Sequence, residues 1–194
     1  MPLRLIGLLV LLLLGATLRA AAPVASFTEN RGQWPQQVLF RVLLPNGALF
    51  IERDAFTYVL QRGGGAHDHG NPLHNHSAMP FAAHAFKVHF EHGRAQRWTG
   101  ANQAGHYENF FLGNDSAHWG TGCAVFGEVT LYDVWPGIDL HMDGTLGLKY
   151  EFIVDPGADP LMVRLRYEGQ DDLRIADERC VVHTSAGSLI EEKP

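Results

Sequence analysis

The residues best suited to chemistry lie in one stretch, His67-Asp68-His69-Gly70-Asn71-Pro72-Leu73-His74-Asn75-His76, with His84, His89 and His92 downstream. Imidazoles two positions apart, in two clusters, are ligands of the kind that capture Zn²⁺, Cu²⁺ or Ni²⁺. A catalytic zinc site, however, needs ligands fixed by a rigid scaffold and oriented by hydrogen-bonded neighbours. Here Gly63-Gly64-Gly65 leads into the stretch, so 62–80 reads as a loop hinged on glycine. The expectation for His67, His69, His74 and His76 is weak, adventitious metal binding, with no cofactor built into the fold.

A second group is Asp139-x-His141-x-Asp143 with Glu151. On alternating strands these side chains share an outer face, where they suit Ca²⁺ or a transition metal. Ca²⁺ takes about six or more oxygens, more than two strands supply. The plainer expectation is a polar outer face paired with Lys149. No carboxylate pair stands out as the acid and base of a glycosidase. The sequence holds no H-E-x-x-H, G-x-S-x-G, Walker loop or dinucleotide fingerprint. His183 and Ser185 lie two apart without an orienting acid and read as structural. Trp34, Trp98, Trp119 and Trp135 suit sugar stacking when exposed, although large aromatics in a β-protein more often fill the core or its rim.

Composition narrows the classes of function. The chain has 194 residues, 46% of them hydrophobic, which is enough for a real core. Fifteen Lys and Arg against 21 Asp and Glu give a net charge of -6, so no nucleic-acid partner is expected. Residues 1–22 read as a signal peptide: Arg4, an apolar run from Leu5 to Leu14, then Ala20-Ala21-Ala22. The run is short for a membrane span, and none follows it. The remainder, 23–194, is expected to be one domain outside the cytoplasm, secreted or on the cell surface. In that oxidising setting Cys123 and Cys180 have two readings. Either they form a disulfide, stabilising by about 4 kcal/mol through loop closure, or they are two buried thiols.

Positioning these residues falls to strands. Phe86, Val88 and Phe90 alternate with Lys87, His89 and Glu91; Leu148, Tyr150, Phe152 and Val154 alternate with Lys149, Glu151 and Ile153; Val163, Leu165 and Tyr167 alternate with Arg164, Arg166 and Glu168. Pro45-Asn46-Gly47 marks a tight turn between Val38–Leu44 and Ala48–Glu52. No amphipathic helix is expected. About ten short strands predict an all-β fold, an antiparallel β-sandwich, with a partly closed β-barrel as the alternative. Within Ile138–Val154, Ile138, Leu140 and Met142 should face inward. A three-residue connection, Gly144-Thr145-Leu146, would set Leu140 opposite Tyr150, His141 opposite Lys149 and Asp139 opposite Glu151.

Four ordered segments carry a family resemblance: Phe27-Thr28-Glu29-Asn30-Arg31-Gly32-Gln33-Trp34-Pro35; Tyr107 to Asp115 (YENFFLGND); Val134-Trp135-Pro136-Gly137-Ile138-Asp139-Leu140; and Leu148 to Val154 with Pro156-Gly157-Ala158-Asp159-Pro160. Thr184 to Pro194 is similar as well. Together they resemble a domain of unknown function at the N-terminus of large secreted bacterial proteins with SBBP-type β-propeller repeats, immunoglobulin-like modules and gliding-motility-type sorting domains. The resemblance implies an exported β-rich module, with no activity to carry over. Its members often have a His-rich insertion where His67–His76 lies and run on for hundreds of residues, so the stop at Pro194 suggests a fragment or truncated gene. The Cys pair is not part of the resemblance.

The expectation is a noncatalytic extracytoplasmic β-sandwich module of an adhesion-type protein, partnered by C-terminal modules, surface glycans or proteins. The alternatives are a metal-dependent or carbohydrate-active enzyme, or a carbohydrate- or metal-binding module, using the histidine loop or the Asp139/His141/Asp143/Glu151 face.

Overall fold

A computed structural model describes residues 25–63 and 81–192. The signal segment and His67, His69, His74 and His76 lie outside the described residues. The described residues form thirteen strands and no α-helix: β1 (Phe27–Glu29), β2 (Val38–Leu44), β3 (Gly47–Glu52), β4 (Ala55–Arg62), β5 (Ala82–Phe90), β6 (Arg97–Phe110), β7 (Gly120–Trp135), β8 (Ile138–Asp143), β9 (Lys149–Val154), β10 (Leu165–Glu168), β11 (Asp172–Ala176), β12 (Arg179–Thr184) and β13 (Gly187–Glu191). Every strand pairing is antiparallel. The fold is therefore all-β, as the alternation requires. Its two layers are unequal: a large sheet curled into a half-barrel, and a small sheet of β11, β12 and β13.

The large sheet runs β10-β5-β4-β3-β2-β1-β7-β8-β9. β6 lies along one edge of β7, while β1 and then β8 share the other: Phe126 pairs with both Phe27 and Gln103, Val129 with both Met142 and Gly100. Not all strands are short. β6 has 14 residues and β7 has 16. They stay continuous by bending at register shifts between Gln103 and Tyr107 and between Leu131 and Trp135. Asn102 and Asp133, with φ of 52° and 51°, lie at these places, and asparagine and aspartate tolerate that left-handed backbone.

Alternation decides which side is apolar. Phe56, Tyr58 and Leu60 of β4, Phe86, Val88 and Phe90 of β5, and Ile138, Leu140 and Met142 of β8 all face the core. Trp135 is buried against Phe90 and Phe152 and donates its indole N–H to the Glu91 carbonyl at 2.9 Å. Val182, Ala186, Cys180 and Leu189 bring the small sheet onto the same core. Each large apolar side chain buried there contributes roughly 1.5–3 kcal/mol.

One expected register is corrected. In the β8–β9 hairpin Leu140 faces Phe152, His141 faces Glu151 and Asp139 faces Ile153, two residues away from the predicted pairing. The cause is the connection. The Asp143 carboxylate accepts the backbone N–H and hydroxyl of Thr145, both at 2.7 Å, and so forms an Asx turn. The loop then extends through Leu148 before β9 begins. No opposed Asp139 and Glu151 pair forms.

Besides β6, which pairs only with β7, the curled sheet has two edge strands at the ends of its path, β9 and β10. One carboxylate joins them. Glu191 of β13 accepts hydrogen bonds from Tyr150 of β9 at 3.2 Å and from Tyr167 of β10 at 2.8 Å. Cys180, directly across the small sheet from Glu191, points its thiol at the Tyr167 hydroxyl at 3.8 Å. Burial, partly offset by the two tyrosine hydrogen bonds, raises the Glu191 pKa. Burial and the nearby Glu191 charge also raise the Tyr58, Tyr150 and Tyr167 hydroxyls, so Tyr150 and Tyr167 stay neutral donors to Glu191.

The sign of the linkage follows. A carboxyl raised on folding adds stability below its unfolded value, which is lost as pH climbs through the folded value. The Tm of the wild type, measured against that of Glu191→Gln, should therefore fall as pH rises above about 4.5. A constant difference across that range would show that Glu191 does not titrate abnormally. Tyr167→Phe should cost about 1–3 kcal/mol in urea denaturation.

Candidate functional site

A concavity on the described surface lies beneath the first motif. Asn30 organises it. Its side-chain amide donates to the carbonyls of Trp34, Pro35 and Val38 at 3.2, 3.0 and 2.8 Å, while its oxygen accepts the N–H groups of Gly32 and Trp34. The β1–β2 loop is thus folded around one side chain. Gln33 pins it below, donating to the Glu29 carbonyl at 2.8 Å and accepting the Arg31 N–H at 2.7 Å. Gly120 is required beside it, since a Cβ there would stand 2.2 Å from the Gln33 amide oxygen.

The groove this loop walls has a volume of about 610 Å³, within the usual range of ligand sites. Its apolar lining includes Trp34, Pro35 and Trp98 over the buried Val38 and Leu39, and its polar lining includes Glu29, Gln36, Arg53 and His118. The Arg53 guanidinium stacks on the Trp98 ring at 4.5 Å, and among the described residues no carboxylate lies within ion-pair distance of it. Gln36 and Arg53 also line a neighbouring cavity of about 390 Å³ with Gln37, Asp54 and Arg94. There Asp54 holds Arg94 at 2.8 Å.

The motifs meet in pairs. Trp34 of the first packs on Phe110 of the second at 5.1 Å, with the Arg41 guanidinium beside both rings at 4.8 and 4.9 Å. Glu108 lies 3.6 Å from that guanidinium and accepts the Thr28 hydroxyl at 2.9 Å. Burial lowers the Arg41 pKa, with Glu108 opposing the shift. Gly137 of the third motif, at φ +69°, approaches Ala158 of the fourth, and its carbonyl accepts the Asp155 N–H at 2.9 Å. Asp115 and Asp159 each cap a single 3-10 turn.

Of the residues singled out for metal, Asp139, His141, Asp143 and Glu151 are each held by other partners. Asp139 accepts the Asp133 N–H at 2.8 Å, Asp143 holds Thr145, His141 contacts the Thr130 hydroxyl at 3.1 Å, and Glu151 pairs with Lys149 at 3.3 Å. The two Thr145 hydrogen bonds hold the exposed Asp143 carboxyl below its ordinary value. Among the described residues no group of three or more His, Cys, Asp or Glu side chains is assembled to hold an ion. Of the two readings of the cysteines, the structure holds Cys123 and Cys180 as free thiols. Cys123 sits on β7 beside Gln33, whereas Cys180 is on the small sheet facing Tyr167. Burial raises both thiols.

Two histidine–serine contacts do form. His183 meets Ser188 at 2.9 Å, and His84 meets Ser185 at 2.9 Å. The Gly169 carbonyl, 2.6 Å from His84 Nε2, assigns the proton to that nitrogen, so Nδ1 accepts from Ser185. His84 thereby ties β5 to the chain on either side of the small sheet's first two strands. Sequence reading missed Glu191 and the groove. On β13 apolar Ile190 is exposed and acidic Glu191 points inward, the reverse of what residue type suggests; the groove, built from loop and strand ends, carried no signal either.

A family model described as a domain of unknown function (DUF7948) matches residues 27–194. Nothing matches among curated proteins or among solved structures. Asn30→Ala should cost about 2–4 kcal/mol in urea denaturation through its lost backbone partners. A cost under about 0.5 kcal/mol, the level of an ordinary surface change, would mean that the loop does not depend on it.

Proposed function

The chain belongs to the DUF7948 family, and from that premise we propose that it is a noncatalytic extracytoplasmic module of a secreted or cell-surface, adhesion-type bacterial protein. The observation that supports this reading is where its motif side chains go. Asn30, Gln33, Asp115, Asp139 and Asp159 bind the chain's own backbone. Trp34 and Arg41 bind the second motif, and Gly137 the fourth. A catalytic group must instead stand free toward a substrate, beside the base or acid that serves it. These motifs build a surface, and the groove is the open part of it.

Export is supported by the charge and apolar run of residues 1–22. Among the described residues no helix is long and apolar enough to cross a membrane. The partners in this reading are surface glycans or proteins and further modules of a larger protein carrying SBBP-type repeats and a sorting domain.

Two measurements test the proposal. Residues 1–22 fused to an alkaline phosphatase without its own signal should yield activity outside the cytoplasm; an inactive cytoplasmic fusion would sink the export half. The untagged chain, melted with and without chelator beside a variant with His67, His69, His74 and His76 changed to Ala, should give overlapping curves. One retained metal equivalent whose removal lowers Tm by several degrees would favour a metal-dependent enzyme or binding module instead.

A further inference from the structure

We propose that the groove beneath the Asn30 loop binds an acidic oligosaccharide, a chain of hexuronate type, with Arg53 taking a carboxylate. The proposal rests on the surface-module reading above and names the ligand class of that module. Three features of the groove point to this chemistry.

First, the cation is unmatched. Arg94, beside it, is neutralised by Asp54 at 2.8 Å, while Arg53 has no carboxylate partner among the described residues. Its guanidinium carbon lies 4.5 Å from the Trp98 ring centroid, and its N–H groups form the kind of fork that grips a carboxylate with two parallel hydrogen bonds. In a chain of net charge -6, with the Glu29 carboxylate also in the lining, an anion would be drawn here by this local fork, against Glu29 and the overall field.

Second, the lining is mixed in the way a sugar ring is. Trp34, Pro35 and Trp98 offer an apolar surface to ring C–H groups, and the exposed Gln36 and Gln37 amides offer both donors and acceptors to hydroxyls. Because Gln36 and Arg53 line both cavities, the open surface is continuous enough for more than one sugar unit.

Third, the wall has little backbone to offer. The carbonyls of Trp34, Pro35 and Val38 and the N–H groups of Gly32 and Trp34 are all taken by Asn30. An extended peptide gains its affinity by strand-like main-chain pairing, which this wall cannot supply. Recognition falls to side chains, which favours the saccharide over an acidic peptide.

The test titrates the full chain calorimetrically with oligogalacturonate and alginate oligomers, with neutral cello- and xylo-oligosaccharides, and with a poly-glutamate peptide. A uronate oligomer should bind with the neutral sugars and the peptide clearly weaker. Arg53→Ala should weaken uronate binding about ten- to hundredfold. Arg53→Lys should recover only part of that loss, because an ammonium cannot present the fork. Arg174→Ala, a charge-matched change on exposed β11, should leave binding unchanged. No uronate binding, binding indifferent to Arg53→Ala, or equal binding of neutral sugars or peptide would overturn the proposal. Cleavage of a bound uronate chain would leave the groove standing and defeat the noncatalytic reading instead.

Discussion

The carboxylate of Glu191 accepts a hydrogen bond from each end of the large sheet's strand path, Tyr150 on β9 and Tyr167 on β10, and that bridge determines how the rest can be arranged. A sheet that curls without closing exposes unpaired backbone at both ends, which other chains can exploit. The small sheet spans the gap. Val182 and Ala186 bury apolar surface against the half-barrel, but burial is non-directional and would allow the small sheet to slide. The two tyrosine hydroxyls are directional and specify one placement. His84 adds a second tie at the opposite turn, through Ser185 and Gly169.

With the barrel wall fixed, each motif acts as half of a contact. The first and second motifs, almost eighty residues apart, meet at Trp34 and Phe110; the third and fourth meet at Gly137 and Ala158. Neither half of such a contact is satisfied alone. A bulky side chain at Gly137 would need a left-handed backbone and would crowd Ala158 at once. The segments are therefore specific because each has a partner of fixed shape, which needs no reacting substrate to explain it.

Much of this was legible in the sequence, and the physical reason is the period of two. Phe86, Val88 and Phe90, or Ile138, Leu140 and Met142, have one parity, and the core takes all of it. Asn46-Gly47 places the β2–β3 turn by backbone preference alone. What failed depended on contacts that alternation does not encode. The β8–β9 register turned on a side chain, Asp143, capturing Thr145 and lengthening the loop. The span of β6 and β7 turned on left-handed residues at Asn102 and Asp133 that bend a strand without ending it. Glu191 was hidden because an acid on the inward parity makes sense only once two tyrosines from distant strands are known to face it.

The same interaction appears in a closed and an open form, and the contrast separates scaffold from surface. Arg41 and Arg53 are both guanidiniums on aromatic rings. Arg41 has rings of Trp34 and Phe110 beside it and Glu108 at 3.6 Å, and its Nε is buried without a hydrogen-bond partner. Desolvation makes that arrangement costly, so it persists only because two rings and a carboxylate offset the cost together. It fastens two motifs. Arg53 touches one ring, faces solvent and has no anion among the described residues. Its stem is held by stacking while its hydrogen-bonding edge is free, so a ligand carboxylate would find a donor already oriented and would not have to displace an internal partner. Arg41 thus spends its guanidinium on holding two motifs together, while Arg53 keeps its hydrogen-bonding edge at the mouth of the groove.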